Sequence, residues 1–257
     1  MKLLIKLGGT LLESDETRQA LCRQIAGAQA AGHQTVVVHG GGKRLSRYLE
    51  DQGIESEFRN GFRVTAPEIM DAVLRIFCGS VNHHLVAELG RAGAKPIGLS
   101  GIDAGIVQAV QLAPELGAVG QVSRVNPAPL DLLTEAGYLP TIACVAGGAD
   151  GAIYNVNADQ MAAACAGGFK ADQMIYLTDV AGVLDAEQTL IPSLTIAGAL
   201  KLIEDGVARG GMEAKLRAAI SAIEEGAERV RVAAGAEPGV IPRLLAGEPL
   251  GTQMVAG

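Results

Sequence analysis

Short apolar runs that end on glycine or a small polar turn recur along this chain. Longer stretches separate them, in which apolar residues return every three or four positions. The first run, Leu3-Leu4-Ile5-Lys6-Leu7, is broken by one lysine and closes on Gly8-Gly9-Thr10. Gln34-Thr35-Val36-Val37-Val38 closes on His39-Gly40-Gly41-Gly42, and Lys95 to Leu99 on Ser100-Gly101-Ile102-Asp103. Leu139 to Val145 closes on a glycine-rich loop over 146–151, and Gln173 to Leu177 on Thr178-Asp179. Runs of this length without polar alternation predict strands buried on both faces, as in parallel sheets. Arg229 to Ala233 and a last segment from Gly251-Thr252 complete the set.

Helical spacing fills the intervals. It predicts helices over 11–31, after the Gly40–Gly42 run, over 128–136, over 158–166, over 200–206, and around Leu216, Ile220 and Ile223. The longest runs from Pro67 to Arg91, with Ile69, Val73, Ile76, Phe77, Val81, Leu85 and Leu89 on one face. Thr65-Ala66-Pro67-Glu68 reads as its capping box, and Asn157 as the cap of the helix at Ala158. Two hairpins interrupt the alternation. One turns at Asn60-Gly61 between Phe58 and Phe62, and is short enough to serve as a lid; the other pairs Ile106–Gln111 with Val119–Val125. Strand and helix in alternation imply an α/β fold: an open, mostly parallel central sheet sandwiched by helices.

Composition narrows the classes. Lys+Arg 21 against Asp+Glu 28 leaves a formal charge of −7 on 257 residues, and the basic positions are dispersed, which argues against a nucleic-acid surface. Cys22, Cys78, Cys144 and Cys165 lack C-x-x-C spacing and predict buried free thiols; with His33, His39, His83 and His84 they form no metal-ligand pattern. No apolar run approaches the ~18 residues of a membrane span, and no signal-peptide cleavage pattern follows the first strand. The expectation is a soluble cytoplasmic protein.

The chemistry sits at the strand ends, where ligands bind in open α/β sheets. Glycines there let backbone N–H groups approach an anion, and a lysine beside them is a compact positive charge. Lys6 with Gly8-Gly9 reads either as a phosphate site or as a strand with a snorkelling lysine. The Gly40–Gly42 run matches neither G-x-x-x-x-G-K-[ST] nor G-x-G-x-x-G. Arg63, on the return strand of the hairpin, is either a fork for a carboxylate or a surface charge. Asp159 suits the first turn of its helix as a charge on the dipole, while Asn155, ahead of the cap, keeps a free amide. Lys215 at the start of the helix after Gly210-Gly211 opposes the dipole by a few tenths of a kcal/mol to about 1, which points to an anion nearby. Two isolated lysines, an aspartate and an asparagine without a nucleophile suit phosphoryl transfer, where positioning and charge neutralisation do most of the work.

Six segments carry a resemblance. Lys6-Leu7-Gly8-Gly9, His39-Gly40-Gly41-Gly42, Asn60-Gly61-Phe62-Arg63-Val64-Thr65, Asn155-Val156-Asn157-Ala158-Asp159-Gln160, Thr178-Asp179-Val180-Ala181-Gly182-Val183 and Gly210-Gly211-Met212-Glu213-Ala214-Lys215 resemble, in order, signature segments of the amino acid kinase family, in the branch that phosphorylates N-acetyl-L-glutamate. The resemblance implies an α/β/α kinase of two lobes: residues 1–172 for the acyl amino acid and dimerisation, 173–257 for ATP. It implies transfer from ATP with Mg²⁺, without a protein-only metal site, to the γ-carboxylate, a step of arginine synthesis. Carried over, Lys6 and Lys215 stabilise the phosphoryl charge and Asp159 orients both. Gly41, Gly42, Arg63 and Asn155 bind the acyl amino acid. Gly8 and Gly9 offer N–H groups to phosphate, and Asp179, Val180, Ala181, Gly182, Val183, Leu184, Val207, Ala208 and Arg209 line the nucleotide site. Arginine-inhibited members resemble this chain plus an N-terminal helix; with the first strand starting at Lys2, the resemblance implies a homodimer that arginine does not inhibit. Its dimer surface is expected on the 67–91 helix. Two rivals remain: a kinase of an acylated or carrier-linked α-aminoadipate, and a non-catalytic amino-acid-binding regulator.

Overall fold

A computed structural model describes residues 1–256. The chain starts with β1 (Lys2–Leu7), α1 (Gly9–Glu13), α2 (Asp15–Ala30), β2 (Gln34–His39) and α3 (Gly42–Asp51). A small hairpin of β3 (Phe58–Arg59) and β4 (Phe62–Arg63) leads to α4 (Pro67–Val73), a π-helical segment over Leu74–Val81, and α5 (Asn82–Arg91). Then come β5 (Pro96–Ser100), β6 (Val107–Gln111), β7 (Val119–Val125), α6 (Ala128–Glu135), β8 (Leu139–Ala143), β9 (Val145–Gly147), β10 (Ile153–Val156) and α7 (Ala158–Phe169). The remainder is β11 (Gln173–Thr178), β12 (Ser193–Thr195), α8 (Ile196–Glu204), α9 (Gly211–Glu224), β13 (Val230–Ala234), α10 (Val240–Leu245) and β14 (Thr252–Val255).

Eight strands form one sheet in the order β12-β14-β13-β11-β1-β2-β8-β5, parallel throughout except for the β13–β14 pair. The expected open, mostly parallel sheet is therefore present, with β1 and its neighbours β2 and β11 at its centre. Burial on both faces explains their apolar runs: Leu3, Leu4, Ile5, Leu7, Val36, Val37, Val38 and Ile175 are all solvent-excluded. Helix α7 packs on β1 and β2 and against α9, while α2 covers the sheet with α5 and α10. The predicted 106–125 hairpin forms, but it belongs to a small closed barrel, β10-β7-β6-β9, that periodicity did not reveal. The run 139–147 supplies one strand to the sheet and another to the barrel, parting at Cys144.

Three local readings are corrected. The 11–31 helix is two helices, because Ser14 stops α1 and its hydroxyl accepts from Thr17 N–H to cap α2. Thr65 caps nothing: Ala66 precedes α4, and the Thr65 hydroxyl donates to Arg63 O while its backbone pairs with Leu116 and Ala118. Lys215 is the fifth residue of α9, just past the first turn in which the sequence placed it. The long helix does bury every apolar position predicted for its inner face, yet its middle is π-helical rather than α-helical.

Candidate active site

The carboxyl ends of β1, β2 and β11 converge with the first turns of α7 and α9, and the charged residues meet there. Lys6 stands on the last turn-ward position but one of β1, its ammonium 2.6 Å from Asp159 Oδ1. Lys215 approaches the other oxygen, Oδ2, at 3.6 Å and also donates to Gly211 O. Asp159 is held by two further contacts on its backbone. Asn157 Oδ1 accepts from its amide at 2.8 Å, which starts α7 and fixes where the carboxylate points. Beneath it, the Tyr176 hydroxyl donates to Asp159 O at 2.9 Å, with the Tyr176 ring 6.0 Å from the Lys6 ammonium. Tyr176 is fully buried beside Lys6 in the β1–β11 register, and its phenol is pushed well up by that burial.

Two glycine turns, at the ends of β1 and β2, face each other closely. A Cβ on Gly9 would stand 3.7 Å from Gly42 N and 3.9 Å from Gly41 N. Gly41 caps α3 and Gly42 opens it, so neither has a preceding helix carbonyl to bond and their N–H groups are available. Gly8 is different from the sequence expectation: its amide is already spent on Leu177 O at 3.1 Å. Gly8 serves close packing of β1 on β11, and Gly9 alone of the pair keeps its amide for a ligand.

A cavity of about 340 Å³ adjoins the cluster, bringing together Gly41, Gly42, Arg63 and Asn155. Arg63 is 7% exposed and has no acidic partner among the described residues. It donates to Ser56 Oγ at 2.5 Å and Ser46 Oγ at 2.6 Å, and lies 4.4 Å from the Phe58 ring. Burial pulls its pKa down, but a guanidinium stays charged, so a buried cation here awaits an anion. Asn155 donates to Thr65 Oγ1 at 3.1 Å, tying the barrel strand to the hairpin. Sequence reasoning found Arg63 and missed Ser46, Ser56 and Tyr176. The serines sit in polar stretches without periodic signal, and Tyr176 reads as one more apolar strand residue.

The remaining expected residues lie beyond β11 and before α9. Asp179, Val180, Ala181 and Leu184 are exposed, as is Arg209, whereas Gly182, Val183 and Ala208 are buried and Val207 half-buried. Val183 donates its N–H to Thr252 Oγ1 and accepts from Ile191 N–H, so its backbone is used by the fold. No group of three metal-ligating side chains occurs among the described residues, and both Asp159 oxygens face lysines. The four cysteines are free thiols, three of them buried.

An α/β site with two lysines astride one aspartate, flanked by glycine amides, is built to handle polyanions. Comparison with known proteins gives the class: the chain belongs to the amino acid kinase family, whose model matches residues 1–234. Among individual relatives, it is 60% identical to an acetylglutamate kinase of Solibacter usitatus, over 99% of each chain. It is 41% identical to the acetylglutamate kinase of Acidobacterium capsulatum, over the full length of both. The fold also matches an N-acetylglutamate synthase from Neisseria gonorrhoeae solved with coenzyme A and N-acetyl-glutamate, at TM-score 0.87 and 24% identity, covering all of this chain and 59% of that one.

Proposed function

We infer that this protein transfers the γ-phosphoryl group of ATP to the γ-carboxylate of N-acetyl-L-glutamate, the acetylglutamate kinase reaction, within arginine biosynthesis. Two full-length relatives carry that activity in their names. The geometric observation that carries the reading is the Lys6–Asp159–Lys215 cluster beside a cavity holding a buried, acid-free Arg63. In this reading Arg63 forks onto the α-carboxylate of the acceptor, and Asn155 meets its amide region. The γ-carboxylate oxygen attacks the γ-phosphorus in line as the bond to the bridging oxygen of ADP breaks. Lys6, Lys215 and the amides of Gly41 and Gly42 neutralise the charge on the moving oxygens. Asp159, with one oxygen toward each lysine, sets their spacing. Because its two oxygens face lysines, a magnesium ion accompanying ATP would be held chiefly by the phosphates, where it would add to the charge neutralisation. The nucleotide lies on the exposed edge from Asp179 to Leu184 and near Arg209.

Residues 1–172 form the acceptor lobe and 173–257 the nucleotide lobe, and two copies pair through the 67–91 helix in the cytoplasm. No helix among the described residues is long and apolar enough to cross a membrane. The test is an ATP-dependent hydroxamate assay with N-acetylglutamate, N-acetylaspartate and N-acetyl-α-aminoadipate. N-Acetylglutamate is expected to give the highest kcat/KM, and Lys215→Ala is expected to lower kcat by about 10²–10³-fold. No turnover with any acceptor rejects the kinase reading, and preference for the aminoadipate reassigns the acceptor.

A further inference from the structure

We propose that His39 and Asn82 form a buried positioning relay that aims the Gly41 amide into the active site, so that the long helix sets the geometry of a group stabilising the transferred phosphoryl. The inference rests on the reaction assigned above for its kinetic readout, but not for its structural one.

His39 is completely buried at the end of β2 and takes no part in the cluster of lysines. Its Nδ1 lies 3.0 Å from Gly40 O, and its Nε2 lies 2.9 Å from Asn82 Nδ2. A carbonyl only accepts, so Nδ1 carries the proton and donates to Gly40 O. Nε2 is therefore bare and accepts from the Asn82 amide. Asn82 Nδ2 also donates to Thr141 O at 2.9 Å, which orients the amide the same way. Both ring nitrogens are thus committed to one tautomer. Burial keeps the ring neutral, its pKa pushed down to about 4, as this pattern requires.

The carbonyl that His39 holds belongs to the same peptide unit as the Gly41 N–H. A trans peptide is planar, with C=O and N–H pointing oppositely. Fixing Gly40 O on the imidazole therefore directs the Gly41 N–H the other way, toward the Gly8–Gly9 turn, which its nitrogen faces. The neighbouring peptides are tied at Gly40 N–H to Leu7 O and at Gly41 O by Leu45 N–H, and the His39 bond is the one that holds the Gly40–Gly41 plane between them, where glycine tolerates many backbone conformations.

Space has been made for the relay. A Cβ on Gly98 would fall 2.2 Å from Asn82 Oδ1, so glycine is needed across the helix from Asn82. A Cβ on Gly41 would fall 2.8 Å from the Phe77 ring, so the π-helical segment presses directly on the loop it helps to set. Cys144 completes the surround by donating its thiol to His39 O. π-Helical turns concentrate at functional positions, and here Phe77, Val81 and Asn82 all reach the β2 end from the segment or its last turn.

His39→Leu removes the donor, whereas His39→Asn places an amide N–H where Nδ1–H stood. Each is examined by steady-state kinetics and by the Gly41 amide resonance in ¹⁵N-glycine-labelled protein. His39→Leu is expected to lower kcat by about 10²-fold with KM for both substrates nearly unchanged, because a misaimed donor is felt in the transition state. The Gly41 resonance is expected to shift in the same variant. His39→Asn is expected to restore most of kcat and return the resonance. If His39→Leu does not fold, Asn82→Ala, which releases the ring to turn, is expected to show the same changes at smaller size. An unmoved Gly41 resonance, or a kcat within twofold of wild type, in His39→Leu (or in Asn82→Ala where His39→Leu does not fold) overturns the relay. Wild-type protein inactive on N-acetyl-L-glutamate would reject the assigned reaction, and the Gly41 resonance would still decide the relay.

Discussion

At the residue scale, Lys6 and Asp159 meet at 2.6 Å with their side chains only 8% and 11% exposed. A compact ammonium fits that space; the planar fork of arginine does not. Lys6→Arg is therefore expected to lower kcat about 10²-fold while KM for each substrate moves only a few-fold, as the hydroxamate assay would show. Tyr176 acts one layer below. Tyr176→Phe keeps the ring near Lys6 but deletes the bond to Asp159 O. The expected loss is about 0.5–1.5 kcal/mol of unfolding free energy in urea, with a several-fold lower kcat. An unchanged kcat would show that Asn157 alone suffices to place Asp159. Lys6 and Lys215 were legible in the sequence because each is a charge out of keeping with its local setting, whereas Asp159 suits its helix dipole and was singled out only through the resemblance of the Asn155–Gln160 segment. Tyr176 was not, since a phenol in a buried strand differs from phenylalanine by one atom whose partner is distant in sequence.

At the element scale, the cap at Asn157 has two duties: it starts α7 and it carries the Asp159 carboxylate into position. Asn157 Oδ1 accepts from both Asp159 and Gln160 amides. Asn157→Ala is expected to cost about 0.5–2 kcal/mol in thermal or urea unfolding and to lower kcat more than the lost stability explains. Asn157→Ser, which caps as well, is expected to recover most of both. The alternation of strand and helix was legible because parallel strands buried on both faces carry long apolar runs. The barrel β6-β7-β9-β10 was not, because the two strands that close the 106–125 hairpin into it, β9 and β10, run only 3 and 4 residues, and β9 continues the run that starts in the main sheet. The π segment was also hidden, since Ile76, Phe77 and Val81 satisfy an α-helical spacing whichever way the turns close.

For the whole molecule, the buried His39 ties stability to pH. Its folded pKa of about 4 lies below the ordinary 6.5, so the unfolded chain binds a proton first as pH falls. Stability attributable to this group is complete above about pH 6.5 and is lost progressively down to about 4. Between pH 7 and pH 5 the expected loss is about 2 kcal/mol, from 1.36 kcal/mol per unit of displacement. Measured by unfolding at both pH values, that loss is expected to shrink in His39→Asn, which has no proton to gain. The π segment has a consequence of another kind. Residues along an α-helix keep step at 100° and 1.5 Å each. Leu74–Val81 is out of step with the turns on either side, so the 67–91 rod behaves as two shafts coupled at a fixed phase offset. The upstream shaft sets Ile69 and Val73 on the core, and the downstream one sets Asn82 on His39. Residue identity along this rod is therefore only half of what it encodes. The number of residues between Val73 and Asn82 is itself a setting, and one residue fewer would swing the Asn82 amide about a quarter-turn off its imidazole while leaving every apolar side chain it needs still in the sequence.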